Sequence, residues 1–269
     1  MITASIVTYE TNVEELRRVL LCATESSIEH IYIVDNSSND NLRFLEKNSS
    51  KLEYIYGHGN IGYGAAHNIA IKKSIKLESK YHIVLNPDIY FEYGTIERLI
   101  NYINNNYDIG LVMPKVIYPD GTLQYLCKLL PNPIDLIIRR FMPMKKYVEK
   151  WSFRFEMRGS GYDKEMMVPF LSGCFMLFRT DALVKTGGFD DRFFMYCEDI
   201  DICRRILAAG YKTYYYPAVS IIHMHRKESF KSNKMLRVHM KSAIIYFNKW
   251  GWFFDKYRAY INKKALEQY

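Results

Sequence analysis

Short apolar runs alternate with helical patterns along the first hundred residues. The apolar runs have the length of strands and are Ile2–Thr8, Ile31–Val34, Leu52–Tyr56 and Tyr81–Leu85. The segments between them, near residues 13–23, 40–48 and 64–77, have the spacing of amphipathic helices. Such alternation is typical of βαβ units, so the sequence predicts an α/β fold on a mostly parallel sheet with helices on both faces.

The pattern changes in the second half of the chain. From about residue 115 to 170 it degrades into turns, prolines and a basic-aromatic stretch, which predicts irregular surface structure. Order resumes at Phe170–Phe178 and continues with a helix near 197–209 and strands near 212–223. A helical tail follows from about residue 229 to 267.

Polar residues follow two of the predicted strands. Asp35-Asn36-Ser37-Ser38 comes after the Ile31–Val34 run, and Asn86-Pro87-Asp88 comes after Tyr81–Leu85. In open parallel sheets, ligands bind beyond the carboxyl ends of the strands. The sequence therefore predicts a ligand site at these two strand ends.

Charge and cysteine content narrow the classes of partner and compartment. The 269 residues include 37 Lys and Arg against 29 Asp and Glu, a net charge of +8 that favours an anionic partner. The five cysteines form no CxxC pair, which argues against a disulfide framework or a zinc ribbon and favours a reducing cytoplasm. Neither a signal peptide nor an 18-residue apolar span is found.

Two acidic positions suit group-transfer chemistry. Glu198-Asp199-Ile200-Asp201 opens the predicted helix near 197–209, where Asp201 is spaced to pair with Arg204 or Arg205 and is expected to be structural. Asp199 points to a different face. One carboxylate that holds a divalent cation and another that accepts a proton are the minimum for metal-assisted transfer from a diphosphate.

Histidines and glycines add two further candidates. His223 and His225 share one face of a strand, as metal ligands can, although surface histidines with that spacing are commoner. The glycine-rich run Gly57–Gly64 permits a close approach of backbone to a phosphate or a ring. It matches neither a Walker loop nor a Rossmann fingerprint, which disfavours ATP and NAD.

Six motifs taken together resemble a known family. They are Ile6–Tyr9, Val34–Ser38, Asn60–Asn68, Asn86–Asp88, Gly187–Asp190 with Phe193-Phe194, and Glu198–Asp201. In this order and approximate spacing they resemble the family 2 glycosyltransferases, and within them the bacterial rhamnosyltransferases of O-antigen and cell-wall polysaccharide assembly. The resemblance covers residues 2 to about 225.

The resemblance implies a GT-A fold, in which a Rossmann-like nucleotide-binding half and an acceptor-binding half share one sheet. It implies one domain over residues 1–228, with a nucleotide-sugar-binding half at 1–114 and an acceptor-binding half at 115–228. A helical amphipathic tail over 229–269 follows.

The resemblance also assigns residues to the nucleotide sugar. They are Thr8, Tyr9, Glu10, Asp35, Asn36, Gly62, Asn68, Asn86 and Asp88. The first three would line the base pocket, and Asp35 would accept the ring N–H of uracil or thymine. Gly62 and Asn68 belong to the segment that passes over the ribose and diphosphate.

The metal and catalytic assignments follow the same resemblance. Asn86-Pro87-Asp88 takes the place of the family's Asp-x-Asp with Asn at its first position, so Asp88 is the expected ligand of Mg²⁺ or Mn²⁺. His223 would complete the metal shell, with His225 as the alternative. Asp199 matches the general base of inverting members, which deprotonates the acceptor hydroxyl.

The implied function is transfer of a sugar, L-rhamnose from dTDP-L-rhamnose, to a lipid-linked surface polysaccharide precursor. One alternative keeps the fold and uses a UDP-hexose donor, for glucosyl, galactosyl or N-acetylglucosaminyl transfer. A nucleotidyltransferase is a more distant alternative, because Tyr9-Glu10-Thr11-Asn12 is not the basic glycine-rich loop that holds a triphosphate. A nucleic-acid partner is not expected, since it gives no reason for Asp88 and Glu198-Asp199 to meet.

The tail mixes cations with aromatic residues between about 241 and 258. These residues are Lys241, Tyr246, Phe247, Lys249, Trp250, Trp252, Phe253, Phe254, Lys256, Tyr257 and Arg258. The mixture is typical of an amphipathic element that lies on a membrane surface, here the cytoplasmic face of the inner membrane. A helix that packs on its own protein or in a dimer is the alternative, and the oligomeric state is left open.

Overall fold

The computed structural model describes residues 1–136, 145–224 and 233–269. Its eleven strands are β1 (Ile2–Thr8), β2 (His30–Asp35), β3 (Leu52–Ile55), β4 (Tyr81–Leu85), β5 (Ile89–Phe91), β6 (Ile109–Ile117), β7 (Cys127–Lys128), β8 (Met166–Met167), β9 (Phe170–Leu171), β10 (Phe175–Arg179) and β11 (Lys212–His223). Within these ranges nine strands form one sheet in the order β3-β2-β1-β4-β10-β6-β11-β5, with β8 also paired to β11. β7 and β9 form a separate two-stranded sheet.

The first part of the sheet is parallel, as the sequence predicts. β1 lies between β2 and β4, and both of these pairs are parallel. Thr8 is the register partner of Asp35, and Ile6 is the partner of Leu85. The carboxyl ends of three strands therefore meet at one edge of the sheet, where the polar clusters begin.

The second part of the sheet is mixed. β10 runs antiparallel between β4 and β6, and β11 runs parallel to β6. At its far end β11 pairs antiparallel with β5, where His223 is the partner of Ile89. This pairing brings the end of β11 beside the residue that precedes Ile89, namely Asp88.

Helices cover the sheet. They are α1 (Val13–Thr24), α2 (Tyr63–Lys76), α3 (Thr95–Asn105), α4 (Lys145–Phe155), α5 (Thr180–Thr186), α6 (Glu198–Ala208), α7 (Asn233–Trp250) and α8 (Lys256–Leu266). Asn12 caps α1 by accepting the N–H of Glu14 at 2.8 Å, and the helix buries its apolar stripe in the core. In α6 the predicted apolar face is buried at Ile200 and Cys203. The segment predicted as a helix near 40–48 is a 3₁₀ helix, Arg43–Asn48.

The prediction that residues 115–170 are irregular is wrong in part. The turn at Tyr118–Gly121 is present, with the Gly121 N–H bonded to Tyr118 O at 2.9 Å. However, β7, α4 and β8 fall in this segment. α4 ends at Phe155, which is buried. The apolar stripe of this helix is too short to be recognised in the sequence among the surrounding cations. Part of the basic-aromatic stretch, including Arg139, Arg140 and Phe141, lies outside the described residues.

The C-terminal helices pack on the domain, which corrects part of the sequence interpretation. Tyr246 and Phe247 are buried, and Lys249 and Trp250 contact α6. These side chains are therefore not available to a membrane. Between α7 and α8, however, Phe253 and Phe254 are exposed.

All five cysteines are free, and four of them are buried. In the parts of the chain that the structure describes, we find no helix with the length and apolar character needed to cross a membrane.

Candidate active site

The first polar cluster lies where β1 and β2 end. The N–H of Asn36 donates to Thr8 O across 2.9 Å, beside the Thr8–Asp35 register pair. Glu10 has a left-handed φ of 49°, and its N–H donates to Ser37 Oγ at 2.8 Å. The structure thus brings together Thr8, Glu10, Asp35 and Asn36, four of the residues that the resemblance assigns to the nucleotide sugar.

Asp35 is almost inaccessible and is held from two sides. Tyr54 Oη donates to its Oδ2 at 2.5 Å, and the Ser37 N–H donates to its Oδ1 at 3.0 Å. Nearby, Thr8 Oγ1 is buried without a hydrogen-bond partner among the described residues, while the Tyr9 side chain is half exposed. A buried hydroxyl without a partner costs free energy, which a bound ligand atom can return. The sequence does not indicate this role of Tyr54, because tyrosine is common in strands.

The glycine-rich segment approaches protein backbone. Gly62 has a φ of 94°, and a Cβ there would lie 2.2 Å from Phe194 O. The N–H of Tyr63 donates to that same oxygen at 2.8 Å, and Asn36 Nδ2 donates to Gly62 O at 3.1 Å. The structure therefore shows a close approach of Gly62 to the backbone of Phe194, and the approach to a phosphate or a ring stays a prediction. Gly62 thus connects Asn36, which follows β2, to Phe194 in the segment before α6.

Asn68 has partners other than those the sequence suggested. Its Nδ2 donates to Phe189 O at 2.8 Å and to Asp191 Oδ1 at 2.6 Å. Its Oδ1 accepts the Phe189 N–H at 2.8 Å, and a Cβ at Gly188 would lie 2.5 Å from that oxygen. Both amide hydrogens are therefore used inside the protein. These bonds shape the Gly188–Asp191 loop, and the assignment of Asn68 to the segment over the ribose and diphosphate stays a prediction.

The residues after β4 are tied to those after β9. The Asn86 N–H donates to Cys174 O at 2.9 Å. Tyr63 Oη lies 3.0 Å from Asn86 Oδ1 and 2.7 Å from Gly173 O. Tyr63 begins α2, so three distant stretches of sequence meet at its hydroxyl.

Asp88 and His223, the two residues expected to bind a metal, face each other. Asp88 Oδ1 lies 3.4 Å from His223 Nε2. On the other side of the ring, Nδ1 lies 3.0 Å from Gln124 Oε1, and Gln124 Nε2 donates to His223 O at 2.8 Å. Because the Gln124 oxygen can only accept, Nδ1 carries the hydrogen and Nε2 is aimed at Asp88. Gln124 lies in a turn-rich segment, and the sequence does not indicate its role. The alternative ligand, His225, lies outside the described residues.

The surroundings of His223 favour a positive charge beside Asp88. Burial alone would lower the pKa of His223, but the neighbouring Cys174 and Asp88 outweigh burial and raise that pKa to about 10. A metal ion held by Nε2 would take the place of this proton, so metal binding would be coupled to proton release.

Asp88 and His223 fit a divalent cation that takes some of its ligands from the protein and the others from a substrate. Among the described residues, no group of three or more His, Cys, Asp or Glu side chains is arranged to hold a metal ion. Asp88 and His223 could provide two protein ligands, and Mg²⁺ is usually held by one or two carboxylates together with substrate phosphates and water. Glu198 Oε2, at the start of α6, is buried without a hydrogen-bond partner in the described chain.

Asp199 is fixed at the start of α6. Its Oδ2 accepts the Gly173 N–H at 3.1 Å, and its Oδ1 accepts the Ile200 N–H at 2.9 Å. The two residues before Glu198 have left-handed φ values, 69° for Tyr196 and 66° for Cys197. Non-glycine residues in this region are strained, and such strain is often found at functional sites. The sequence gives no indication of this backbone strain.

Electrostatics make Asp199 a stronger base than an exposed carboxylate. Burial raises the pKa of Asp199, and the nearby Lys128 and the Gly173 N–H partly oppose this shift. Burial and the charge of Asp199 raise the pKa of Glu198 well above its usual range. A base whose pKa lies nearer to neutral pH accepts a proton more effectively at that pH.

Asp201 faces away from Asp199, as predicted. Its Oδ2 accepts from Arg205 Nε at 2.7 Å, which is the i, i+4 pairing expected from the sequence. Arg204 instead pairs with Asp255, at 2.5 and 2.9 Å. The two carboxylates of this motif therefore have different surroundings, one facing Gly173 and one buried against the C-terminal helices.

Comparison with known proteins identifies the family of this chain. The family model described as "Glycosyltransferase like family 2" matches residues 6–239. The rhamnosyltransferase WbbL of Escherichia coli K12 is 30% identical over 246 residues, which cover 87% of this chain and 88% of WbbL. The N-acetylglucosaminyl-diphospho-decaprenol L-rhamnosyltransferase of Mycobacterium tuberculosis (strain CDC 1551 / Oshkosh) is 27% identical over 251 residues, which cover 87% and 79% of the two chains.

Solved structures show the same fold. The crystal structure of GalNAc-T7 with UDP, GalNAc and Mn²⁺ superposes with a TM-score of 0.63 at 14% identity. The superposition covers 86% of this chain, which spans 44% of the length of that larger chain. The chain belongs to the glycosyltransferase-like family 2, and it is a glycosyltransferase with the GT-A fold.

Proposed function

We propose that this glycosyltransferase transfers L-rhamnose from dTDP-L-rhamnose to a lipid-linked precursor of a surface polysaccharide, with inversion at the anomeric carbon. Two relatives that match most of the chain are named as rhamnosyltransferases, and the name of one specifies a decaprenyl diphosphate sugar. The observation that carries the chemistry is Asp199, which is oriented by the Gly173 N–H and linked through Gly173 and Tyr63 to the Asn86–Asp88 motif.

On the donor side, the pyrimidine would lie at the ends of β1 and β2. Thr8 offers a buried hydroxyl without an internal partner, and Asp35 retains lone pairs beyond its bonds to Tyr54 and Ser37. Tyr9, Glu10 and Asn36 complete this pocket in the proposal. Asn86, Asp88 and His223 would face the diphosphate, and Gly62 contributes by positioning Asn36.

In the proposed reaction, Asp199 accepts the proton of the acceptor hydroxyl while that oxygen attacks the anomeric carbon. The bond between this carbon and the diphosphate oxygen breaks, and its electron pair leaves with the nucleoside diphosphate. The configuration inverts, and no covalent enzyme intermediate forms. When bound by Asp88 and His223, Mg²⁺ or Mn²⁺ would neutralise charge on the departing diphosphate.

A lipid-linked acceptor makes contact with the membrane useful, and one exposed element suits it. We define the aromatic tip as Trp252, Phe253 and Phe254, which lie between α7 and α8. Arg258 Nη2 donates to Trp252 O at 3.1 Å and to Phe253 O at 3.0 Å, so the backbone of the tip is held in place. From residue 233 to 266 the chain has eight Lys and Arg and one Asp. In the proposal the tip enters the anionic cytoplasmic face of the inner membrane at headgroup depth.

The donor assignment is tested by turnover with a panel of nucleotide sugars. The panel contains dTDP-L-rhamnose, UDP-glucose, UDP-galactose and UDP-N-acetylglucosamine, each with Mn²⁺ and an N-acetylglucosaminyl diphosphate lipid. We expect turnover with dTDP-L-rhamnose and a matching thermal shift, since a ligand at about 100 times its Kd adds about 2.7 kcal/mol of stability. Faster turnover with a UDP-hexose would contradict the donor assignment.

A further inference from the structure

The hydroxyl of Tyr63 lies between two parts of the active site. It is 3.0 Å from Asn86 Oδ1, at the start of the proposed metal motif, and 2.7 Å from Gly173 O. The N–H of the same Gly173 donates to Asp199 Oδ2 at 3.1 Å. One side chain therefore joins the donor half to the backbone that orients the proposed base.

Counting hydrogens defines the direction of these bonds. A tyrosine hydroxyl has one hydrogen, so it cannot donate to both oxygens at once. Gly173 O is nearer and can only accept. An amide group can be turned so that its nitrogen and oxygen exchange places. With Asn86 turned in this way, Nδ2 donates to Tyr63 Oη and Tyr63 donates to Gly173 O, so both contacts of the hydroxyl are hydrogen bonds.

The ring of Tyr63 is held so that its hydroxyl has a fixed position. The Tyr63 N–H is bonded to Phe194 O at 2.8 Å, and the ring packs edge-on against His67 with 4.5 Å between centroids. A Cβ at Gly64 would lie 2.9 Å from the Phe189 side chain, so glycine lets this turn of α2 press against the 189–198 segment. Burial and the nearby Glu198 raise the pKa of Tyr63 well above its usual range, so the hydroxyl keeps its hydrogen.

We propose that Tyr63 is a positioning residue that aims Asp199 at the acceptor by holding the Gly173 peptide against Asn86. The inference rests on the proposed function, because it assigns Tyr63 a part in the proton transfer that Asp199 performs. Phenylalanine at this position keeps the ring and its packing but releases Gly173 O. A small displacement of a catalytic group costs rate steeply, about 100-fold for 1 Å.

The test is a double-mutant cycle with dTDP-L-rhamnose and an N-acetylglucosaminyl diphosphate lipid as substrates. It compares the wild type, Tyr63→Phe, Asp199→Asn and the double variant. Tyr81→Phe is the matched control, because it removes a tyrosine hydroxyl at the start of β4, the end of the strand opposite Asn86, where it is bonded to Asn104. Calorimetric titration of dTDP and thermal melting of each variant report donor binding and folding independently of turnover.

We expect Tyr63→Phe to lower kcat by about 10- to 100-fold with dTDP affinity and melting temperature close to those of the wild type. In the Asp199→Asn background the same substitution should have almost no further effect, since it acts through Asp199. Wild-type turnover of Tyr63→Phe, losses that multiply in the double variant, or an equal loss of dTDP affinity would each overturn the proposal. Near-normal turnover of Asp199→Asn alone would instead contradict the proposed function.

Discussion

Asp201 Oδ1 lies 2.7 Å from Lys249 Nζ, so an ion pair joins α6, which carries Asp199, to the C-terminal helix α7. Trp250 Nε1 donates to the same oxygen at 2.7 Å, and Arg205 binds the other oxygen. The Asp201 side chain is completely buried. The C-terminal helices therefore brace the helix on which the proposed base lies.

Asp201→Asn should destabilise the fold much more than it slows the reaction. Removing one partner of a buried ion pair leaves a buried charge and costs about 3–5 kcal/mol. We expect a loss of that size in the free energy of unfolding, measured in urea, with kcat lowered by less than about tenfold. Asp181→Asn, at an exposed position in α5, is the control and should change neither quantity. A fully stable Asp201→Asn variant would show that the pair does not brace α6.

The metal assignment predicts a loss of metal-dependent nucleotide affinity. In the wild type, Mn²⁺ should tighten dTDP binding, and Asp88→Ala and His223→Ala should each reduce this gain at least about tenfold, or about 1.4 kcal/mol. Titration calorimetry with and without Mn²⁺ measures the gain. His30→Ala, which removes a pair with Glu53 away from the site, is the control. An undiminished gain in Asp88→Ala, or a loss in His225→Ala but not in His223→Ala, would contradict the assignment.

Two buried histidines predict acid sensitivity of the fold. Thr3 and Ser5 bind the two ring nitrogens of His82, both at 2.8 Å, and Ser5 also binds His67 at 2.7 Å. Burial lowers the pKa of His82 to about 3, and it lowers the pKa of His67 well below its usual range. The unfolded chain binds protons below about pH 6.5 and the folded chain does not, so stability falls as the pH drops from there toward about 3.

The measurement is urea unfolding at about pH 5.5 and pH 4.5. His82→Gln should remove the uptake of about one proton on unfolding. The free energy of unfolding should then fall by about 1.4 kcal/mol less per pH unit than it does in the wild type. His30→Gln, at a partly exposed position, should change the slope far less. An unaltered slope in His82→Gln would mean that His82 is protonated in the folded protein.

The aromatic tip predicts binding to acidic vesicles. Phe253→Ser combined with Phe254→Ser should weaken co-sedimentation with such vesicles at least about tenfold, since burying one Phe side chain is worth about 1.5–3 kcal/mol. Tyr93→Ser combined with Tyr107→Ser removes two aromatics that are 83% and 80% exposed elsewhere, and should leave binding unchanged. If the tip variant stays folded and binds as well as the wild type, the tip serves another partner.

The sequence predicts the strands better than it predicts what covers them. The bounds of β1 and β4 agree with their apolar runs to the residue. By contrast, an apolar run shows that a strand is buried and does not show its neighbours. The insertion of β10 antiparallel beside β4 was therefore not predicted, and neither was the pairing that brings His223 to Asp88.

The same limit applies to the site. Asp88, Asp199 and His223 could be named because their residue types and motif positions indicate chemistry. Tyr54 and Gln124 could not, because their roles depend on hydrogen bonds to residues 19 and 99 positions away. In the tail, the same mixture of cations and aromatics occurs at buried and at exposed positions. Trp250 packs on Arg204, while Phe254 is fully exposed.

The central claim, that Asp199 is the base of an inverting transfer, is tested most directly by Asp199→Asn. This change keeps the shape of the side chain and removes its ability to accept the proton. We expect kcat to fall by about 10²–10⁴-fold while dTDP affinity stays within about twofold of the wild type, and the wild-type product to have the anomeric configuration opposite to that of the donor. Near-normal turnover of Asp199→Asn, or a product that retains the donor's configuration, would contradict this account.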